Sequence, residues 1–161
     1  MQMEKFDAID LQILEDLQAY GRTKRNELAE KVKLSIPAVS ERLRKLEERG
    51  IIRSFNAVLD ARKVGLEVTA YIFVMAESST FYPQILERAT NHSEILECHA
   101  ITGEGSHIIK ARTQSTASLE KLLSQIQSWP GVHNTRTSIV LSSPKETTVL
   151  PLRHLSTAPA A

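Results

Sequence analysis

A single cysteine, Cys98, excludes an intrachain disulfide, and a reducing cytoplasm fits a chain that does without one. No apolar run approaches the roughly 18 residues of a membrane span, so no membrane partner is expected. The N-terminus, Met1-Gln2-Met3-Glu4-Lys5, has no apolar stretch behind a basic start, and no secretory signal is expected. Glycine-rich phosphate loops and nucleophile elbows are missing as well. The histidines, His92, His99, His107, His133 and His154, show no metal-ligand spacing. With one cysteine beside them a zinc site is not expected, and no cofactor is expected either.

Excess charge is also lacking, with a net +1 over 161 residues. The distribution is less even than the total. Residues 1–21 hold one base and five acids, whereas residues 22–53 hold ten bases and five acids. From residue 67 to the end there are seven bases and eight acids. The surplus is confined to one short stretch. A solvated helix face explains it without function; a phosphate-facing patch explains it with one, since Lys and Arg that neutralise phosphates supply most non-specific DNA affinity.

Hydrophobic spacing places three helices in that region. Asp7 is an N-cap for a first helix, with Ile9, Ile13, Leu14 and Leu17 at helical intervals and Gly21 at its end. A second helix from Thr23 carries Leu28, Ala29 and Val32 on one side. Leu34-Ser35-Ile36-Pro37 interrupts, with Ser35 as N-cap and Pro37 tolerated in a first turn. A third helix then runs to Arg49 and stops at Gly50. Two short helices joined by a tight turn form a helix-turn-helix.

At 100° per residue, Ile36, Val39, Leu43 and Leu46 fall within an arc of about 80°. The other side carries Pro37, Glu41, Arg44, Lys45 and Glu48, with Ala38 and Ser40 at its flanks. Small groups near the N-terminus and long cations further along suit a helix lying in a major groove. Ser35, Pro37, Ala38, Ser40, Glu41, Arg44 and Lys45 are therefore candidates for the groove, and Lys24, Arg25 and Arg42 for phosphates. Arg42 has a second reading, as the partner of an acid inside the domain. Glu41 also has two, an acceptor for a cytosine amino group or an intrahelical partner of Arg44 and Lys45.

Beyond Gly50 the period changes. Residues 51–59 read as a short strand, a wing or a connector, and residues 60–67, with Gly65, as a linker. Val68–Ala76 is a strand apolar on both faces, with Val68, Ala70, Ile72 and Val74 on one and Tyr71, Phe73 and Met75 on the other. Such a strand is covered on both sides, here by helices of its own domain and by a second subunit. A helix over 80–90, strands over 95–102 and 106–113 joined at Gly103-Glu104-Gly105, a Ser115- or Thr116-capped helix stopped by Trp129-Pro130-Gly131, and a strand over 132–141 complete the order βαββαβ. The expected fold is α+β: a winged helix-turn-helix domain over 1–59 and a ferredoxin-like domain over 68–155. A short strand is placed near 147–150, and a disordered tail at 156–161.

The strings Asp7-Ala8-Ile9-Asp10-Leu11-Gln12-Ile13-Leu14, Glu27-Leu28-Ala29-Glu30-Lys31-Val32, Leu34-Ser35 and residues 39–52 (VSERLRKLEERGII) resemble the Lrp/AsnC, or feast/famine, regulators. In the second half the resemblance rests on element order and on Ile101-Thr102-Gly103. It implies a bacterial or archaeal transcription regulator that binds double-stranded DNA. It further implies homodimers formed through the sheet domain, often gathered into octamers. Amino acids are the common effectors, bound between dimers near the turn after the second strand of that domain.

In this chain that turn is Gly103, Glu104, Gly105, Ser106 and His107, where many members carry an aspartate and an aromatic residue. Glu104 could hold an ammonium and the turn amides a carboxylate; an ordinary hairpin turn is the plain alternative. Two other functions are compatible with the architecture. Sirohaem decarboxylases resemble it, with His99 and His107 as candidate groups, and an octamer could compact DNA without sequence preference.

Overall fold

The computed structural model describes residues 6–155. They form two compact units, one of residues 6–58 together with 146–155, the other Leu59–Lys145.

The first unit is built on α1 (Ala8–Ala19), α2 (Arg25–Val32) and α3 (Ile36–Glu48). The carboxylate of Asp7 accepts the Asp10 amide at 2.7 Å and starts α1. The Glu27 carboxylate accepts the Lys24 amide at 3.4 Å and steadies the start of α2. Lys33 ends that helix in the left-handed region, φ +55°, which turns the chain sharply enough for α3 to begin three residues later. Ser35 Oγ accepts the Ala38 amide at 3.4 Å, and Pro37 occupies the first turn, where an N–H would have no intrahelical partner. Ile13, Leu28, Val39 and Leu46 are buried where the three helices meet. Each such side chain contributes about 1.5–3 kcal/mol by leaving water.

Ile36 departs from the expected arc and is 49% exposed. It is the first residue of its helix, and helical side chains lean toward the N-terminus, so this one projects past the end of the bundle. Residues 53–60 contain neither helix nor strand, which makes the stretch a connector. Ile51 and Ile52 close the core before it, both of their amides donating to the Leu46 carbonyl.

The chain returns to this unit at residue 146. The Gln18 side chain brackets Leu150, donating to its carbonyl at 3.1 Å and accepting from its amide at 2.7 Å, and Leu152 packs on the helical core. The segment expected in the second domain therefore lies with the first, and residues 146–155 contain no strand at 147–150. The tail expected at 156–161 lies outside the described residues.

The second unit contains β1 (Val68–Ala76), α4 (Tyr82–Thr90), β2 (Ile95–Ala100), β3 (His107–Thr113), α5 (Thr116–Gln127) and β4 (Val132–Ile139). The expected linker belongs to it, carrying a short 3-10 turn at Arg62–Val64. The sheet order is β2-β3-β1-β4, antiparallel throughout. On one face Ala70, Ile72, Val74, Ile109 and Ala111 meet Ile85, Ala89, Leu119, Leu122 and Ile126 of the two helices. Trp129, which follows α5, seals that core at 6% exposure. Gly131 is required by position: its φ is +76°, and a Cβ there would lie 2.0 Å from Phe81 Cγ. The opposite face has no helix of this unit over it and carries Tyr71, Phe73, Ile108 and Lys110 in neighbouring registers.

Candidate nucleic-acid interface

The solvent side of α3 is open within its unit. Ser35, Pro37, Glu41, Arg44 and Lys45 are exposed, and Ala38 and Ser40 are half-buried at the margins. No acid lies in its first turn, so the positive end of the helix dipole is unopposed there. Further along, the charges are organised among themselves. Arg44 donates Nε and one terminal nitrogen to the two oxygens of Glu41 at 2.8 and 2.7 Å, and its other terminal nitrogen to Glu48. Lys45 Nζ stands 3.6 Å from Glu41. Arg44, the nearby Lys45 notwithstanding, is the main cause that holds the Glu41 carboxyl down at about 2. Glu41 thus takes the intrahelical reading in the free protein.

Arg42 is committed elsewhere. Its Nη1 sits 2.7 Å from both Asp7 and Asp10, tying α3 to the beginning of α1. The phosphate reading gives way to the internal one because this side chain leaves the helix toward α1 and is only 29% exposed. Lys31 is also engaged, 2.6 Å from Asp16. By contrast Arg22, Lys24, Arg25, Lys33 and Arg53 form no ion pair among the described residues. Lys24 and Arg25 were expected phosphate contacts. Arg22, Lys33 and Arg53 were not singled out, although the local charge surplus already counted them.

The turn candidates divide between the two faces of the sheet. Glu104 forms an ion pair with Arg136 of β4, whose guanidinium lies 4.8 Å over the Phe73 ring on the face without helices. His107 enters the helix-covered core and is fully buried, meeting Tyr82 edge-on at 4.7 Å. Ser106 fixes its orientation. The Ser106 hydroxyl donates to the Val74 carbonyl at 3.1 Å and so accepts from His107 Nδ1 at 2.9 Å, which assigns the proton to Nδ1. Nε2 is then a buried acceptor with no partner. Burial pushes the His107 pKa below 6.5, so the ring is neutral.

Gly103 and Gly105 have φ of +99° and +106°, and the amides of residues 103–105 make no backbone hydrogen bond among the described residues. Ser106 differs, its amide donating to the Val74 carbonyl at 2.8 Å. His99 stands beside Glu97 on the face opposite His107, so those two histidines share no pocket. Cys98 is half-buried against the core, and burial raises its thiol pKa.

Residues 6–53 match the winged helix-turn-helix DNA-binding domain, and residues 69–150 match the Lrp/AsnC ligand binding domain. The chain belongs to the Lrp/AsnC family. Its relatives include the HTH-type transcriptional regulator FL11 of Pyrococcus horikoshii, 35% identical over 91% of this chain and 97% of that protein. The leucine-responsive regulatory protein of Haemophilus influenzae is 32% identical, covering 91% of this chain and 90% of its own. A transcriptional regulator from Neisseria meningitidis, solved as a complex with L-Met, superposes with a TM-score of 0.88 at 33% identity, over 94% of this chain and 99% of that one. The Pyrococcus and Neisseria relatives are named as transcriptional regulators, and the helix-turn-helix plus antiparallel α+β architecture is shared by this chain and the Neisseria structure. Arg136 is the neighbour of Glu104 that sequence reasoning missed. It is 32 residues from Glu104, and only the register of β4 on β1, which sets Arg136 opposite Phe73, brings it there.

Proposed function

We propose that this chain is a homo-oligomeric, sequence-specific DNA-binding transcription regulator whose effector is an amino acid. The observation that carries the first part is the bare side of α3, small at its N-terminal end and flanked by unpaired cations. Ser40, Ala38 and the backbone edge at Ser35 and Pro37 approach base edges, and Arg44 and Lys45 reach guanine or phosphate once a duplex competes with Glu41 and Glu48. Lys24 and Arg25, joined by Arg22, Lys33 and Arg53, neutralise phosphates. A two-fold dimer of such units reads half-sites about one helical turn, roughly 34 Å, or a multiple of that apart. The dimer forms through the helix-free sheet face with Tyr71, Phe73 and Ile108 at its centre, and dimers gather into octamers.

The effector lies at the turn. The amides of residues 103–105 and Arg136 take its carboxylate, and Glu104 takes its ammonium as the Glu104–Arg136 pair opens. His107 supports the turn from the core side. The leucine-responsive relative and the relative crystallised with L-Met support this ligand class. The protein acts in the cytoplasm; among the described residues no helix is long and apolar enough to cross a membrane.

Changing Arg44 and Lys45 together to Ala abolishes or strongly weakens the shift of a cognate duplex in a gel, and unaltered binding would overturn α3 as the reader. A thermal-shift screen against the twenty amino acids tests the second part, since a ligand bound by the folded state alone raises its melting temperature. No rise with any of them would remove the amino-acid assignment.

A further inference from the structure

We propose that Glu41 is a specificity-determining residue: held on Arg44, it keeps the DNA-facing surface of α3 electrically neutral, so that the helix discriminates by sequence instead of adhering to phosphates. This rests on α3 being the DNA reader. The exposed long side chains of that surface are Glu41, Arg44, Lys45 and Glu48, two of each sign. All three donor nitrogens of Arg44 are occupied by carboxylates of its own helix. The flanking cations outside α3 carry no such neutralisation, so attraction to the backbone and reading of bases reside in different parts of the unit.

The consequence follows from what each duplex offers. Entering a groove brings Glu41 toward phosphates and strips water from it, and a carboxylate brought near like charges is penalised. At a cognate site, base edges that donate to Glu41 or accept from the displaced Arg44 return what the ion pair loses. At any other sequence the pair either breaks without replacement or stays closed and offers the backbone no net charge. Glu41 therefore weakens binding everywhere and least at the right sequence, which is how a repulsive element generates specificity.

The test uses the full chain, a duplex enriched by the unaltered protein from a random-sequence library, and a scrambled duplex of the same composition. Glu41→Gln is expected to raise affinity for the scrambled duplex about three- to tenfold at low salt and to steepen its log–log salt slope by about 0.9, one added phosphate contact. Affinity for the enriched duplex rises less, so the specificity ratio falls. Glu41→Asp, which keeps the charge, retains the ratio within about twofold. Unchanged scrambled-duplex binding with Glu41→Gln, or a loss confined to the enriched duplex, would overturn the proposal; the latter makes Glu41 a direct base contact. Failure of the unaltered protein to enrich any duplex would overturn the assignment of α3 as reader, and this proposal with it.

Discussion

Arg42→Ala removes the guanidinium that ties α3 to the start of α1, and the structure sets the size of the effect. Both contacts are charge-assisted and 2.7 Å long, but they are unequally shielded: the Asp10 side chain is 14% exposed and that of Asp7 51%. The Asp10 contact approaches a half-buried charged hydrogen bond, about 1.5–2 kcal/mol, and the Asp7 contact a surface pair, about 0.5 kcal/mol. Together they predict a loss of about 2 kcal/mol. For a domain of this size that lowers the melting temperature by about 8–16 °C. Asp10→Asn alone loses most of the same amount. The double variant Arg42→Ala/Asp10→Asn falls short of the sum by about 1–1.5 kcal/mol, the coupling of two groups in contact. The assay is thermal unfolding followed by circular dichroism, run beside DNA titrations at several salt concentrations. A salt slope that becomes shallower by about one phosphate with no change in melting would refute the tether and return Arg42 to the backbone-contacting set.

The pH dependence of that contact has a definite sign. Burial pushes the Asp7 carboxyl up, but the Asp10 amide and the Arg42 guanidinium outweigh it and hold the pKa below 3.8. A depressed carboxylate stabilises fully above its unfolded value, and the contribution disappears as pH falls through the lower folded one. Arg42→Ala therefore flattens the acid limb of the stability curve below about pH 4.

His107 has the same sign in a different window: its pKa is depressed by burial below 6.5, so stability falls as pH drops beneath that value, and His107→Leu abolishes the decline, as melting curves between pH 7 and 5 would show. If the decline persists in His107→Leu, another group causes it. Gly131→Ala places a methyl 2.0 Å from Phe81 at a φ of +76°, and is expected to destabilise the sheet unit by about 2 kcal/mol or more in denaturant titration. A neutral effect would mean that Phe81 moves aside freely.

Local chemistry wrote much of the first unit into the sequence. Asp7 and Ser35 are residue types that cap helix starts, and Val39, Leu43 and Leu46 recur at a period that a one-sided helix uses, so existence and facing could be read directly. The β-branched run of β1 and the turn residues Gly103, Gly105 and Gly131 fixed the second unit in the same way. Lys33 gave no such signal, because a lysine in the left-handed region is not marked by its side chain.

What the sequence determined by itself is everything set by neighbours within a helical turn or a hairpin: three helices with a basic surplus, and the βαββαβ order. Tertiary structure alone decided which charges remain free for DNA. For Arg42 the sequence left a phosphate and an internal acid both open, and packing chose Asp10, 32 residues away, whereas Arg44 took two acids of its own helix. The same holds for Gln18, which claims Leu150 from the far end of the chain, and for Glu104, which meets Arg136 only across the sheet. A side chain's charge is local, but its partner is chosen by packing, and packing brings together residues that no short window contains.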